Sequence, residues 1–145
     1  MSFKDALTDE AKRKTVVSDC IELIEAEVKD KGGISGMAIK AGYKAVKGVK
    51  PGFIPNVVND LLPEFAEALE PIYQEAKSKG EPVAPYLSRN SGRVAEALLA
   101  ITDGKAERSK RGIVKGTYKR LRPSAKQNVE AAIPRLGKLV EKHAP

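Results

Sequence analysis

Apolar residues recur every three or four positions along most of this chain, which is the spacing of one face of an α-helix. The first such stretch runs from about Thr8 to Lys31, with Thr8 as the predicted N-cap and Gly32-Gly33 as the stop. Residues 1–7 are either a separate helical turn or a frayed end. The apolar face of this helix consists of Val17, Cys20, Ile21, Ile24 and Val28.

The same spacing predicts helices over about Ser35–Val49, Ile54–Lys79, Ser91 to the Asp103-Gly104 pair, Ser109–Leu121 and Pro123–Lys142, with a possible short turn over Pro85–Arg89. Proline removes a backbone donor, so Pro63, Pro71 and Pro134 predict kinks, and Pro123 predicts a boundary between the last two helices. We therefore expect one all-α domain over residues 1–145. Its predicted architecture is a compact bundle or array of five to six helices, with Pro-kinked third and last helices.

Small residues dominate the second predicted helix, and they allow another backbone to approach closely. We therefore expect this helix near the centre of the packing, with Ile39, Tyr43, Val46 and Val49 buried. Lys40, Lys44 and Lys47 form a separate stripe on it. The small residues are Gly36, Ala38, Ala41, Gly42, Ala45 and Gly48.

Positive charge is concentrated in residues 105–126, where nine basic residues accompany one acid, Glu107. The net charge of the whole chain is +7, so the rest of the chain is close to neutral. On a helix, several of these cations fall within about 80° of arc in a row about 21 Å long. Such a row suits nucleic-acid phosphates, an acidic protein surface or anionic lipid. The candidate anion- or partner-binding residues are Arg108, Arg111, Lys115, Tyr118, Lys119, Arg122 and Lys126.

Two interpretations of this segment stay open. In the first, the protein is a binding module whose basic surface contacts an acidic partner or nucleic acid, with Tyr118 placed to stack on a base. In the second, the segment is an ordinary solvated helix face that acids of the first and third helices neutralise. The protein is then structural or self-associating, in a homodimer for example, with no polyanion ligand.

Enzymatic chemistry has little support in the residues. His143 is the only histidine and is expected in a solvated end, and Cys20 is the only cysteine, expected as a small buried hydrophobe. No nucleophile–base pair, metal-ligand motif or phosphate-binding loop occurs, so we predict no catalytic residues, metal or cofactor. The chain lacks a signal-peptide pattern and any run of 18 apolar residues, which predicts a cytoplasmic protein.

Three stretches carry a resemblance to a known family: ISGMAIKAGYKAVKGVKPGFIPNVVNDLLPEFAEAL (Ile34–Leu69), AERSKRG (Ala106–Gly112) and LRPSAK (Leu121–Lys126). They are similar to a family of small bacterial helical proteins of uncharacterised function. The resemblance implies an all-helical cytoplasmic protein. It implies no activity, cofactor or site residues.

Overall fold

The structure is a computed structural model that describes residues 3–144, and these residues form seven α-helices and no β-strand. The predicted all-α class is confirmed, whereas the number of helices exceeds the predicted five to six. The helices are α1 (Phe3–Thr8), α2 (Glu10–Asp30), α3 (Gly33–Lys47), α4 (Phe53–Ser78), α5 (Val83–Arg89), α6 (Ser91–Arg108) and α7 (Gly112–His143).

The N-cap of α2 lies one residue later than predicted, because Thr8 and Asp9 make different hydrogen bonds. Asp9, not Thr8, caps α2: its carboxylate accepts a hydrogen bond from the Ala11 N–H at 3.0 Å. The Thr8 hydroxyl instead donates to the Lys4 carbonyl at 2.7 Å, inside α1. The stretch before Thr8 is therefore a helix of its own, and its first two N–H groups donate to the Glu70 carboxylate.

The two longest helices continue through their prolines. Pro63 and Pro71 lie within α4, and Pro123 and Pro134 lie within α7. The predicted boundary at Pro123 is therefore wrong, while the predicted kinks stay predictions. Pro71, Pro123 and Pro134 are exposed, so water can hydrate the carbonyls that lack a donor, and packing along the rest of each helix outweighs the lost hydrogen bond.

Likewise, α6 continues through Asp103-Gly104 to Arg108, since Asp103 is held against α7 by Arg122. The possible turn over Pro85–Arg89 is part of the helix α5, which begins two residues earlier at Val83 and packs closely on α7. A Cβ at Gly137 would lie 2.8 Å from the Ala84 Cβ. The close approach of α5 to α7 therefore depends on the glycine at this position of α7.

The hydrophobic core joins α1, α4, α5 and α7, with single contributions from α2 and α6. The Phe3 ring packs on Tyr73, with centroids 4.6 Å apart, which fixes α1 on α4. The largest fully buried side chains are Val16, Ile72, Leu87, Val94, Ile133 and Val140.

The small-residue helix α3 lies at the edge of the fold, which contradicts its predicted central place. Only Gly36 and Gly42 are buried in it, and Ile34 and Met37 are 88% and 70% exposed. A close approach to α7 does occur at Gly42, where a Cβ would lie 2.9 Å from the Thr117 Cγ2. One contact of this kind needs one glycine and leaves the opposite face of α3 in solvent.

Within residues 3–144, no helix combines the length and the apolar character that crossing a bilayer requires.

Candidate functional site

The basic segment 105–126 covers the end of α6, the link that follows it and the first half of α7. Three of its nine basic residues form ion pairs with other residues of the described part of the chain, 3–144. Lys105 pairs with Glu64 at 3.1 Å, and Arg122 and Lys126 pair with acids of α6. Of the neutralisation expected from the first and third helices, the structure therefore shows a single pair, from α4.

Two predicted contact residues, Tyr118 and Arg122, join α6 to α7. The Arg122 Nε donates to the Asp103 carboxylate at 2.8 Å, and the Tyr118 hydroxyl donates to the same carboxylate and lies 2.8 Å from the Thr102 hydroxyl. The hydrogen bonds from Arg122 and Tyr118 lower the pKa of Asp103, and burial together with Asp103 raises the pKa of Tyr118. Lys126 is also engaged, with Glu96 at 2.8 Å.

The other six basic residues of the segment are exposed and have no ion-pair partner among residues 3–144. We call these six residues the free basic face. One of them, Arg111, stacks over the Phe53 ring at 5.6 Å from its centroid. The free basic face consists of Arg108, Lys110, Arg111, Lys115, Lys119 and Arg120.

A shallow pocket of about 330 Å³ lies between α6 and α7 beside the free basic face. Lys115 and Lys119 line it together with the Tyr118–Arg122–Asp103 cluster, and Glu107 lies on its α6 side. The pocket therefore carries both charge signs. Of the predicted contact residues, Arg108, Arg111, Lys115 and Lys119 keep their charges available to a ligand.

The second half of α7 carries cations that the fold does neutralise. His143 is buried, with its Nε2 2.6 Å from the Asp19 carboxylate, and Lys142 donates to the same carboxylate at 2.8 Å. The expectation of a solvated His143 is therefore wrong. The hydrogen bonds from Lys142 and His143 lower the pKa of Asp19, so the three groups join α7 to α2.

Cys20 is half-buried on α2, and burial raises the pKa of its thiol to about 11. The thiol is therefore protonated at neutral pH and a weak nucleophile. Among residues 3–144, no three His, Cys, Asp or Glu side chains come together as a metal-binding group.

A larger feature lies between the helices, and its lining is apolar. This cavity of about 490 Å³ is walled by α2, α3, α4, α6 and α7. Its deepest side chains, Leu62 and Ile133 among them, are fully or nearly fully buried, whereas Leu61 and Phe65 are half-buried towards its opening.

Charged groups meet at the α2 side of the cavity. Glu27 and Lys31 both line it and pair at 3.1 Å, with side chains only 13% and 17% exposed. Arg135 of α7 donates to the same Glu27 carboxylate and pairs with Asp30 at 2.5 Å. Glu27 thus has two cationic partners. The backbone of Lys31 is fixed by Gly36, where a Cβ would lie 2.6 Å from the Lys31 carbonyl carbon.

Tyr43 of α3 lies beside this charged group and also lines the cavity. Its hydroxyl donates to Glu25 at 3.1 Å, and Lys47 pairs with the same carboxylate. Burial, followed by the contact with Glu25, raises the pKa of Tyr43 to about 12. The phenol therefore stays a neutral hydrogen-bond donor.

A comparison with known protein families shows that the family of unknown function DUF6918 matches residues 3–144. The chain belongs to this family. The predicted membership of an uncharacterised family is confirmed, while a bacterial origin stays a prediction. Comparisons with curated proteins and with solved structures gave no match. The function of the DUF6918 family is unknown, so only the residues of this chain indicate a function.

The sequence of this DUF6918 protein singles out the basic segment 105–126 but does not reveal the cavity. It places Val57, Leu61, Leu62 and Phe65 on one apolar face of the third helix, which is where α4 lines the cavity. An apolar helix face that packs in the core and one that lines a cavity have the same sequence pattern. The spacing of apolar residues shows which side of a helix faces inward, but it does not show how far away the neighbouring helices lie. The feature of the sequence that could have indicated the cavity is the width of this apolar face.

Proposed function

We propose that this DUF6918 protein is a non-enzymatic cytoplasmic binding module whose free basic face contacts an acidic partner, either a nucleic-acid backbone or the acidic surface of another protein. One observation carries the proposal: six exposed cations at the α6–α7 junction have no ion-pair partner among residues 3–144. Elsewhere, α2 and α6 supply carboxylates to cations of α7. The free basic face is therefore the part of the basic segment whose charges are available to an acidic partner.

The spacing on α7 supports a phosphate backbone as the partner. Lys115 and Lys119 are four residues apart, a rise of about 6 Å along the helix. Phosphates of one DNA strand are spaced about 3.4 Å along the duplex axis, so this rise is close to the spacing of every second phosphate. Arg108 and Arg111 extend the same charge towards the end of α6.

The state of the reactive side chains supports a role without catalysis. His143 is bound by Asp19 and buried, and the Cys20 thiol is protonated at neutral pH. Neither has the nucleophile–base arrangement that acyl or phosphoryl transfer requires.

The test is a salt titration of binding to 20-nucleotide DNA and RNA, single- and double-stranded, by fluorescence anisotropy. If four cations contact duplex phosphates, log K falls with log[salt] at a slope near about −3.6. The variant Arg108→Gln/Arg111→Gln/Lys115→Gln/Lys119→Gln should lose this binding. A control with the same change in net charge, Lys12→Gln/Lys14→Gln/Lys29→Gln/Lys138→Gln, should keep most of it, since those lysines lie elsewhere on the surface.

Absence of binding at 50 mM salt to every nucleic acid tested would leave acidic proteins as the partner class, and equal losses in both quadruple variants would contradict the proposed site. The alternative function, self-association, has one observation in its favour: Ile34 and Met37 of α3 are exposed on one helix face. Sedimentation of the same samples at several concentrations decides between them, because a monomer throughout excludes a homodimer.

A further inference from the structure

The apolar cavity between α2, α3, α4, α6 and α7 has the size of a small-molecule site. Its volume of about 490 Å³ lies within the range of about 300–1,000 Å³ that such sites occupy. The apolar volume therefore fits a small ligand.

The chemistry of the lining favours an aliphatic ligand. Leu, Ile and Val supply 18 of the 27 lining residues, whereas Tyr43 and Phe65 are the aromatic ones. A surface of branched aliphatic side chains presents no flat walls for ring stacking, and it suits a flexible hydrocarbon chain that follows irregular gaps.

Water gains few hydrogen bonds in the same space, because most of the lining is apolar and the hydroxyl groups among the lining residues already have partners. The Thr102 hydroxyl lies 3.2 Å from the Leu99 carbonyl and 2.8 Å from the Tyr118 hydroxyl, and the Tyr43 hydroxyl is bound to Glu25. A buried water needs two to four polar partners, and apolar cavities without them stay dry and bind apolar molecules.

The charged group at one side of the cavity favours an anionic head. Glu27 has two cationic partners, Lys31 and Arg135, whereas Lys31 has one acidic partner. A ligand carboxylate can therefore take the Lys31 ammonium while Arg135 continues to neutralise Glu27. A cationic head would meet Lys31 and Arg135 and have to displace one of them from Glu27.

From the cavity, its aliphatic lining and the exchangeable pair at its edge, we infer that this protein binds a fatty-acid-like ligand, with the hydrocarbon chain in the cavity and the carboxylate on Lys31. This site is separate from the free basic face and does not depend on the proposed function. It involves neither a covalent step nor a cofactor.

The first test is calorimetric titration of the full chain with dodecanoate, dodecanol and dodecyltrimethylammonium, each below its micelle concentration. We expect dodecanoate to bind about tenfold more tightly than dodecanol, since a charge-assisted hydrogen bond to the head is lost in the alcohol. The cationic detergent should bind most weakly. Dodecanoate should also raise the melting temperature, by an amount that grows with the logarithm of its free concentration once that exceeds Kd.

Matched variants locate the site. Ala132 lines the cavity and Ala131, its neighbour on α7, is exposed, so Ala132→Phe should abolish dodecanoate binding and Ala131→Phe should not. Lys31→Met should remove the preference for dodecanoate over dodecanol and keep the binding of the alcohol. Lys29→Met, on the exposed side of α2, should leave the preference unchanged.

If Ala132→Phe does not fold, Val58→Phe fills the cavity from the half-exposed side of α4 and gives the same readout. Absence of binding by all three probes overturns the inference. So does binding that Ala132→Phe or Val58→Phe leaves intact, which would mark surface adsorption. Vesicles of phosphatidylcholine distinguish the source of the chain: transfer of labelled dodecanoate from the vesicle to soluble protein supports a free ligand, and co-sedimentation without transfer contradicts it.

Discussion

The two halves of α7 show how differently one helix can use the same kind of charge. In the first half, Lys115, Lys119 and Arg120 face solvent and Thr117 is the one buried residue. In the second half, Ile133, Leu139 and Val140 enter the core, and Arg135, Lys142 and His143 are bound by acids of α2. Both halves are basic in sequence. What separates them is the neighbouring helix, and that neighbour lies more than a hundred residues away along the chain.

The strongest test of this comparison truncates one isoleucine in each half. Ile133 is fully buried and Ile113 is 56% exposed. We expect Ile133→Ala to lower the free energy of unfolding by about 2–5 kcal/mol, since it leaves a cavity in the core. Ile113→Ala should change it by at most about 0.5 kcal/mol. Urea denaturation followed by circular dichroism measures both, and similar values for the two variants would contradict the division of α7.

Two glycines of α7 make a second, smaller contrast. A Cβ at Gly137 would lie 2.9 Å from the Ala84 Cα, a backbone atom that cannot rotate away, whereas a Cβ at Gly116 would meet nothing within 4 Å. Gly137→Ala should therefore destabilise the protein by about 1–3 kcal/mol through overpacking. Gly116→Ala should stabilise it by about 0.5–1 kcal/mol, because alanine favours the helix. Stabilisation in both variants would show that α5 does not pack on α7 as described.

The smallest effect concerns pH and the two side chains that Asp19 binds, Lys142 and His143. Because the pKa of Asp19 is lowered from its ordinary value of 3.8, its contribution to stability is complete above that value. The contribution is lost as the pH falls from there through the lowered pKa. Asp19→Asn should thus cost roughly 1 kcal/mol near neutral pH and less under acid conditions.

The control for this prediction is Asp60→Asn, at an exposed position of α4. Chemical denaturation of both variants and the unsubstituted chain at pH 7, 5, 4 and 3 gives the two differences. A difference for Asp19→Asn that stays constant down to pH 3 would show that Asp19 does not hold Lys142 and His143 through its charge.

The helices themselves could be predicted from the sequence because their apolar spacing is local information. Their ends were less predictable where two residues compete for one role. Thr8 and Asp9 are both good N-caps, and the choice depends on whether α1 exists, which in turn depends on Glu70 in α4. Pro123 signals a helix boundary in isolation, but packing on both sides of it keeps α7 continuous.

The candidate sites show the same difference between what local sequence predicts and what depends on distant residues. The cations of the basic segment are visible in the sequence, but which of them are free is not, since the partners of Lys105 and Lys126 are 41 and 30 residues away. The cavity was beyond prediction, because it depends on the distances between five helices whose apolar faces were each recognised. The predicted burial of α3 was wrong for a related reason. Small residues permit a close helix contact, but the close contact of α3 with α7 involves one glycine, Gly42.

The unbroken course of α7 has a mechanical consequence. At about 1.5 Å per residue, its 32 residues make a rod about 48 Å long. Ile133 and Leu136 touch the cavity, and Lys115 and Lys119 project from the same rod nearer its other end. If a molecule in the interior favours one tilt of α7, and the helix moves as one unit through Pro123, the cations shift with it. By reciprocity, a polyanion that prefers that tilt would then change the affinity of the interior for its ligand by the same factor.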